Sequence, residues 1–368
     1  YVALNTGTGF APSALWTSQF GSNQGWSNEG IVPRMVEDVN GDGKPDIVGF
    51  SSVGVYVALN TGTGFAPSAL WTSQFGSNQG WSNEGIVPRR LADINGDGKP
   101  DIVGFFNAGV TVSSIIGVSP DLLTTLTPGL GTTTSLTYKP LTDSSIYVKG
   151  TIGELGTTTC PQPAGDNLTS NSYPILNTQD AQYVVSTAGV SDGNGGVLTN
   201  NYTYGGAKVH LKGRGSLGFR TQKVTQVEAD TSSITYFRQD YPYIGLPCQS
   251  EKTITSTNKV IGTSQLSYAN SVLTTGTAAS QFPYLTQSVE RNFELNAPVN
   301  AAPINSTVTT NQYDGFGNAT QITVTSGDGE VNAMTNVYSK TTTNVYSNDS
   351  TNWLLGRLLR STVTSTTP

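Results

Sequence analysis

An internal repeat constrains this chain more than any other feature. Residues 1–34 recur letter for letter at 56–89, and residues 35–55 recur at 90–110 with conservative changes, so the period is 55 residues. Repeats of this kind are supersecondary units that must pack on neighbours, because one unit alone cannot bury its apolar face. Two units are too few for a closed propeller or a solenoid. We therefore expect the chain to be part of a longer protein or to borrow blades from a partner.

Short apolar runs between turn sequences indicate the fold class. Residues 56–59 and 102–105 are β-rich and are bounded by Asn-Thr-Gly or Gly-Asp-Gly, which is typical of short antiparallel strands. Only 12% of the residues are charged, and the chain is rich in Gly, Thr, Ser and Asn, a composition that favours strands and turns. After about residue 115 the period is lost, and alternating segments predict a long antiparallel array. We predict an all-β protein with partial propeller-type repeats in residues 1–114 and a strand array in residues 115–368.

Each repeat contains a nine-residue acidic loop, DVNGDGKPD in the first and DINGDGKPD in the second. Its oxygen ligands fall at alternate positions, its glycines let the backbone wrap tightly, and the absence of His and Cys selects Ca²⁺ over zinc or copper. An EF-hand would also need a bidentate Glu at position twelve and flanking helices, and both are missing. The alternative is an Asp/Gly-rich hairpin turn without a metal. The predicted calcium ligands are Asp38, Asn40, Asp42, the Lys44 carbonyl and Asp46, and in the second loop Asp93, Asn95, Asp97, the Lys99 carbonyl and Asp101.

Most of the tryptophans lie in the repeats, close to Gln and Asn side chains. Aromatic faces beside amides are typical of sugar-binding sites, but large indoles also fill the space between packed sheets. Both interpretations stay open for this set: glycan contact, or packing between blades. The four repeat tryptophans are Trp16, Trp26, Trp71 and Trp81.

The two cysteines, Cys160 and Cys248, lie beside prolines and fit no metal spacing. In an oxidising compartment they would be able to pair, but sequence alone does not show whether a disulfide has the geometry it needs. The pairing is therefore left open at this point.

Charge and hydropathy exclude several classes of function. The formal net charge is −6 without long basic runs, so we expect no nucleic-acid partner. No segment approaches the length of apolar chain that spans a membrane. The one histidine, His210, lies between two lysines on a predicted strand, and neither a hydrolytic triad nor a carboxylate pair around a cleft can be located. We expect no enzymatic activity.

Two parts of the sequence resemble known families. The acidic loop, with Asp at its ninth position and the strand sequence IVGF directly after it, resembles the calcium-binding loop of FG-GAP (integrin α-type) propeller repeats. The second half resembles Rhs/YD-repeat proteins, most of all the toxin B-component type with a TcdB/SpvB middle region. The segments that carry this second resemblance are residues 120–143, 204–220, 236–246, 313–318 and 346–358.

The second resemblance implies a shell protein. In that family many repeats coil into a hollow cocoon around a cytotoxic segment, and a propeller closes the cocoon or docks on a translocation partner. The family's self-cleaving aspartate region and toxin tail have no match here, and the chain is too short for a closed cocoon. We expect a secreted, calcium-stabilised carrier whose partner is a translocation component or an enclosed toxin. The alternatives are a cell-surface adhesin that binds glycans through the repeat tryptophans, and an extracellular filament subunit that self-associates through free sheet edges.

Overall fold

The structure is a computed structural model that describes residues 1–115, 122–129, 131–150, 160, 173–275, 278–295, 298 and 301–368. It divides into two compact units. The first contains Tyr1–Thr124, Lys139–Asp143 and Asp180–Val184, and the second contains Thr125–Tyr138, Ser144–Gln179 and Val185–Pro368. The domain boundary expected after residue 114 stays a prediction, because residues 116–121 lie outside the described residues.

The first unit contains two small antiparallel sheets, and the first of them combines strands from both repeats. The central strand of each sheet is the apolar IVGF run, which follows the acidic loop directly and has its inward residues buried. The antiparallel strands predicted from the repeat are therefore confirmed. The first sheet consists of β1 (Arg34–Glu37), β2 (Asp46–Phe50), β3 (Val55–Ala58) and β4 (Ala69–Thr72), and the second of β5 (Arg89–Ala92), β6 (Asp101–Phe106) and β7 (Gly109–Ser113).

One apolar cluster joins the two repeats of the first unit. Both repeats supply buried side chains to this cluster. This agrees with the expectation that one repeat alone cannot bury its apolar face. Its buried members are Val39, Val48, Phe50, Val55, Val57, Phe75, Trp81, Val87 and Ile102.

A buried arginine strengthens the contact between the repeats. The side chain of Arg89 is 0% exposed, and its Nε donates to Glu84 Oε1 at 2.6 Å. Its Nη1 donates to the Phe75 carbonyl at 2.8 Å, and its Nη2 donates to the Ile31 carbonyl of the preceding repeat at 3.1 Å. The fully buried guanidinium thus has three acceptors, and a buried charge is tolerated only when it is paired and hydrogen-bonded in this way.

The same pair occurs at the surface in the first repeat. Arg34 contacts Glu29, and these side chains are 31% and 58% exposed. The two pairs are built from the same letters, so their difference in burial comes from their neighbours and not from the local sequence.

A 14-stranded sheet dominates the second unit. From β16 onward each strand pairs antiparallel with the next one in the chain, so the array is a meander of hairpins, which confirms the predicted antiparallel array. One pairing departs from that expectation, because β10 runs parallel to β13 and places Tyr147 opposite Tyr204. The strands are β8 (Thr125–Leu126), β9 (Thr134–Pro140), β10 (Tyr147–Val148), β12 (Tyr183–Ser191), β13 (Val197–Gly205), β16 (Thr221–Gln226), β17 (Thr231–Phe237), β18 (Pro247–Ile254), β19 (Lys259–Thr275), β20 (Ala278–Asn292), β21 (Asn305–Tyr313), β22 (Ala319–Asp328), β23 (Thr335–Asp349) and β24 (Leu354–Thr366).

A small antiparallel sheet accompanies the large one in the second unit. It consists of β11 (Ile175–Asn177), β14 (Lys208–His210) and β15 (Gly215–Gly218). Because β14 and β15 form this separate sheet, β13 continues the large sheet by pairing with β16. The helices of the described chain are three short 3-10 turns, and none could cross a membrane.

Hydroxyl pairs between neighbouring strands support the long hairpins. Thr307 and Ser326 lie 3.0 Å apart across β21 and β22, and Thr323 and Thr341 lie 3.2 Å apart across β22 and β23. Pairs of this kind stabilise a sheet whose side chains are mostly only half buried. Threonine and serine side chains of this Thr-rich chain thus make cross-strand hydrogen bonds.

Candidate metal loops and aromatic pockets

The first Asp of each acidic loop organises the turn through backbone amides. Asp38 Oδ1 accepts hydrogen bonds from the N–H groups of Gly41 and Asp42 at 2.8 and 3.1 Å, and its Oδ2 accepts one from Gly43 at 2.7 Å. Both glycines have positive φ, 78° and 79°, which a residue with a Cβ rarely adopts. The backbone therefore wraps round one carboxylate.

The second loop repeats this arrangement. Asp93 accepts hydrogen bonds from Gly96, Asp97 and Gly98 at 2.6, 3.0 and 2.8 Å. The amide oxygen of Asn95 accepts from the N–H of Asp97 at 2.9 Å. The equal geometry follows from the nearly equal sequences.

The ninth-position Asp fastens each loop to the following chain. Asp46 is 0% exposed, and it accepts hydrogen bonds from Val39 N at 3.1 Å and from Asn60 N at 2.7 Å. Asp101 is likewise 0% exposed and accepts from Ile94 and Ile115 at 3.1 Å each. The sequence indicated a metal ligand at these positions but gave no sign of these structural contacts.

The carboxylates of the first loop influence one another. Burial raises the pKa of Asp46, and the negative charges of Asp42 and Asp38 raise it further. The hydrogen bond from the Lys44 side chain is the main reason that the pKa of Asp42 is lowered. One carboxylate of the loop is therefore costly to ionise, and a nearby cation would reduce that cost.

The donor set of each loop fits calcium in its chemistry. The oxygens of Asp38, Asn40, Asp42 and Asp46 and the Lys44 carbonyl are all hard ligands, and a carboxylate that accepts backbone hydrogen bonds keeps further lone pairs. Among the described residues, no group of three or more His, Cys, Asp or Glu side chains is arranged as a metal site. Calcium therefore remains a proposal that depends on the donor chemistry and on the raised pKa of the buried carboxylate.

The second loop is more enclosed than the first. Lys44 has a 46% exposed side chain, but Lys99 is 3% exposed. The Thr142 hydroxyl donates to the carbonyl of Gly96. Burial raises the pKa of Tyr183, and the negative charges of the loop raise it further. Chain segments from outside the repeats thus cover the second loop.

Two of the repeat tryptophans pack on the strands of their own sheets. Trp26 pairs with Phe20 at 5.0 Å between centroids and lies against Gly49 of β2, where a Cβ would collide with the indole. Trp81 and Phe75 form the same pair at 5.2 Å. Both indoles are packing residues, but Trp81 is 6% exposed whereas Trp26 is only half buried.

The other two repeat tryptophans are placed differently. Trp16 contacts Phe65 at 5.8 Å, and Trp71 on β4 is 43% exposed. Glycan contact through any of the four stays a prediction.

A cavity of about 520 Å³ lies beside the first Trp–Phe pair. Its lining includes Gln19, Gln24 and Trp26 together with several serines, and it contains no charged side chain. The side-chain oxygen of Gln19, Oε1, already accepts a hydrogen bond from Ser68 N at 2.8 Å. The side-chain nitrogen, Nε2, is left as a donor. The cavity has the uncharged hydrogen-bonding character of a sugar site.

Cys160 and Cys248 form a disulfide, with their Cα atoms 5.5 Å apart. They are buried against Tyr236 of β17. The pairing that the sequence left open is therefore present in the second unit.

The one histidine, His210, and two acids of the second unit, Asp240 and Glu228, make structural contacts. His210 accepts a hydrogen bond at Nδ1 from Lys212 N at 3.2 Å. Asp240 pairs with Arg238, with Oδ1 2.9 Å from Nε, whereas Glu228 accepts from Thr199 N at 2.7 Å, so the two acids have separate partners. The absence of enzymatic activity stays a prediction.

Comparison with known proteins supports the fold. A sequence model of the FG-GAP-like repeat family matches residues 38–104, which confirms the FG-GAP resemblance over that segment. A search of curated proteins finds no significant match. The chain is thus an all-β protein in which residues 38–104 match the FG-GAP-like repeat family.

Several solved structures of Tc toxins have a fold similar to that of this chain. The crystal structure of TcdB2-TccC3-Cdc42 matches with a TM-score of 0.64 and 11% identity over 91% of this chain and 19% of that one. TcdB2-TccC3 matches with a TM-score of 0.62 and 12% identity over 90% of this chain and 20% of that one. The Photorhabdus luminescens Tc holotoxin pore matches with a TM-score of 0.65 and 12% identity over 91% and 19%. The chain thus spans about a fifth of the length of these chains, and at this identity the likeness shows the fold alone.

Proposed function

We propose that this chain is a non-enzymatic segment of a secreted Tc- or Rhs-type toxin carrier. The observation that carries the proposal is the combination of FG-GAP-like repeats at residues 38–104 with a fold that matches TcdB2-TccC3 over 90% of the chain. Two of the segments that resemble YD repeats lie in the meander: residues 313–318 form the connection between β21 and β22, and residues 346–358 lie in the β23–β24 hairpin. The partner is a translocation component or a polypeptide that the shell encloses.

Protease protection tests the carrier role. The complete gene product is tagged at its C-terminal end and treated with trypsin, before and after the shell is unfolded in urea. A carrier protects part of its own polypeptide, so a tagged fragment survives in the native sample and disappears in urea. Equal cleavage rates in both samples would contradict the proposal.

We also propose that Ca²⁺ binds both acidic loops and stabilises the first unit. Extracellular sites of this class bind with a Kd of about 10⁻⁴ to 10⁻³ M. At ten times Kd each site would add about 1.4 kcal/mol to the free energy of unfolding. The oxygen donor set and the costly ionisation of Asp46 support this proposal.

Thermal melts with CaCl₂ or EGTA test the metal proposal. Calcium is expected to raise the Tm of the wild type and to have little effect on the double variant Asp42→Asn with Asp97→Asn. Asp192→Asn is the control, because Asp192 also accepts backbone hydrogen bonds in a glycine-rich turn, from Asn194 and Gly196, but lies outside the acidic loops. If the wild type melts at the same temperature in EGTA and in CaCl₂, the metal proposal is wrong.

Glycan binding is a second candidate function, favoured by the uncharged cavity beside Gln19 and Trp26. Its amides and hydroxyls suit a neutral sugar. A glycan array is expected to show binding that Gln19→Ala weakens and that Gln226→Ala, on the surface of β16, leaves unchanged. Trp26→Ala is a poor probe, because the indole packs on Gly49 and its loss would disturb the sheet. An array with no binding would refute the glycan proposal, and the carrier proposal would be the one that remains.

A further inference from the structure

The hairpin between β21 and β22 borders a cavity of about 290 Å³ that is unusually aromatic. Phe282 and Tyr284 are two residues apart on β20 and therefore point to the same face of the sheet. Tyr313, at the end of β21, and Phe316, in the hairpin, complete the aromatic part of the lining. Nothing in the proposed carrier role requires this cavity.

Three of these rings, Phe282, Tyr284 and Tyr313, form a continuous wall. The centroids of Phe282 and Tyr284 are 5.7 Å apart, and those of Tyr284 and Tyr313 are 5.0 Å apart. A Cβ on Gly317 would lie 2.7 Å from the ring of Phe282, so this ring rests directly on the hairpin backbone. Phe316 is 54% exposed, which is high for a phenylalanine outside an interface or a ligand site.

A carboxylate also lines this cavity, and neutral donors surround it. Asp314 Oδ1 accepts from the N–H groups of Phe316 and Asn318, both at 2.9 Å. Its Oδ2 accepts from the side-chain amides of Asn318 at 2.8 Å and Asn348 at 3.1 Å. Burial acts to raise the pKa of Asp314, but these hydrogen bonds outweigh it and lower the pKa, so the group is ionised at neutral pH.

The negative charge of this carboxylate is not neutralised. In the described part of the chain, no Lys, Arg or His forms an ion pair with Asp314. The cavity therefore combines a wall of aromatic rings with an uncompensated negative charge.

We propose that this cavity binds an organic cation of the alkylammonium class, such as a quaternary ammonium group or a methylated lysine side chain. Ring faces attract a cation through their quadrupoles, and the alkyl groups of the ligand contact the same rings. The Asp314 charge adds a longer-range attraction. A neutral sugar fits less well, because each oxygen of the carboxylate already accepts two hydrogen bonds and is poorly placed to accept more from hydroxyls.

Choline and its neutral isostere 3,3-dimethyl-1-butanol provide the test. The two ligands have nearly the same shape and differ in charge, so their affinities separate cation recognition from simple apolar binding. We expect saturation-transfer NMR and calorimetry to show choline binding at least tenfold more tightly than the isostere. A peptide with trimethyllysine, tested beside choline, shows whether the ligand is a free small molecule or a protein side chain.

Variants locate the site. Tyr284→Leu keeps an apolar side chain but removes a ring face, and it is expected to weaken choline binding at least tenfold. Asp314→Asn is expected to weaken choline but not the isostere, whereas Asp349→Asn is the matched control: Asp349 accepts turn hydrogen bonds from Thr351 and Asn352 but does not line the cavity. Circular dichroism verifies that each variant is folded. If Tyr284→Leu binds choline as the wild type does, or if the isostere binds as tightly as choline, the proposal is wrong.

Discussion

The two copies of the Glu–Arg pair permit a direct test of how burial sets the energy of an ion pair. Arg89 is fully buried and bonds to Glu84 and to two backbone carbonyls, whereas the Arg34–Glu29 pair is partly exposed to solvent. Replacing Arg89 with Met leaves the Glu84 carboxylate and the carbonyls without their main donor. Removing one partner of a buried pair costs about 3 to 5 kcal/mol.

The lower end of that range is expected for Arg89→Met. Arg90 Nη1 lies 3.1 Å from Glu84 Oε2 and keeps part of the charge compensation, so we expect a loss of about 3 kcal/mol. For Arg34→Met the loss is expected to be no more than about 1 kcal/mol, because exposed pairs contribute little. The repeats are otherwise nearly identical in sequence, so Arg34→Met is a matched control.

Urea unfolding followed by tryptophan fluorescence measures both variants. Four of the five tryptophans lie in the repeats, so the signal reports mainly on the unit that contains the mutations. A difference of about 2 kcal/mol between the variants is expected, with equal m-values. Equal losses in the two variants would refute the reasoning that burial decides the cost.

Three further predictions follow from the packing, the loops and the sheet edge. Gly104→Ala would push a Cβ into the Trp81 ring and is expected to cost about 1 to 3 kcal/mol in the same urea assay, with Gly9→Ala of the same unit, where the nearest atom to a Cβ is 4.0 Å away, as the control. The raised pKa of Asp46 means that the calcium-free fold loses stability as the pH rises from the ordinary pKa of 3.8 through the folded pKa. The Tm increase caused by calcium is therefore expected to be smaller near pH 4 than at pH 7, and an equal increase would contradict this. The long edge strand β24 is exposed along almost its whole length, so the chain is expected to self-associate in sedimentation velocity and Val363→Lys to reduce this.

The strands were predictable because their signals are local. The IVGF run between a Gly-Asp-Gly turn and the next turn became β2 in one repeat and β6 in the other. The alternating segments of the second half likewise became neighbouring hairpins. A hairpin needs only a turn and two strands in which apolar and polar residues alternate, and both signals are local.

Contacts between distant segments were not predictable. Arg34 and Arg89 occupy the same position in identical 34-residue sequences, yet Arg89 is buried and donates to the Ile31 carbonyl of the preceding repeat, whereas the Arg34 side chain is partly exposed. The parallel pairing of Tyr147 with Tyr204 and the disulfide, which spans 88 residues, also depend on chain folding over long separations.

The tryptophans show how a residue pattern can be ambiguous even when it repeats. Trp26 and Trp81 stand next to glutamines in the sequence, which suits a sugar site as well as a core. The decisive feature is a glycine, Gly49 or Gly104, on the adjacent strand, which leaves space for the edge of the indole against the backbone. A bulky aromatic paired with a glycine in each repeat is a signal that sequence reasoning could have used.

Two aspartates of the acidic loop have different roles: one holds the turn, and the other is the carboxylate that a cation would stabilise. Asp38 is bonded to three backbone N–H groups, so it holds the turn without any cation. Asp46 is buried close to two other carboxylates, and its ionisation is the step that a cation would assist. Removing calcium should therefore lower the stability of the first unit without preventing the turn from forming. For this reason a melting curve is a more sensitive readout of the metal than secondary-structure content at room temperature.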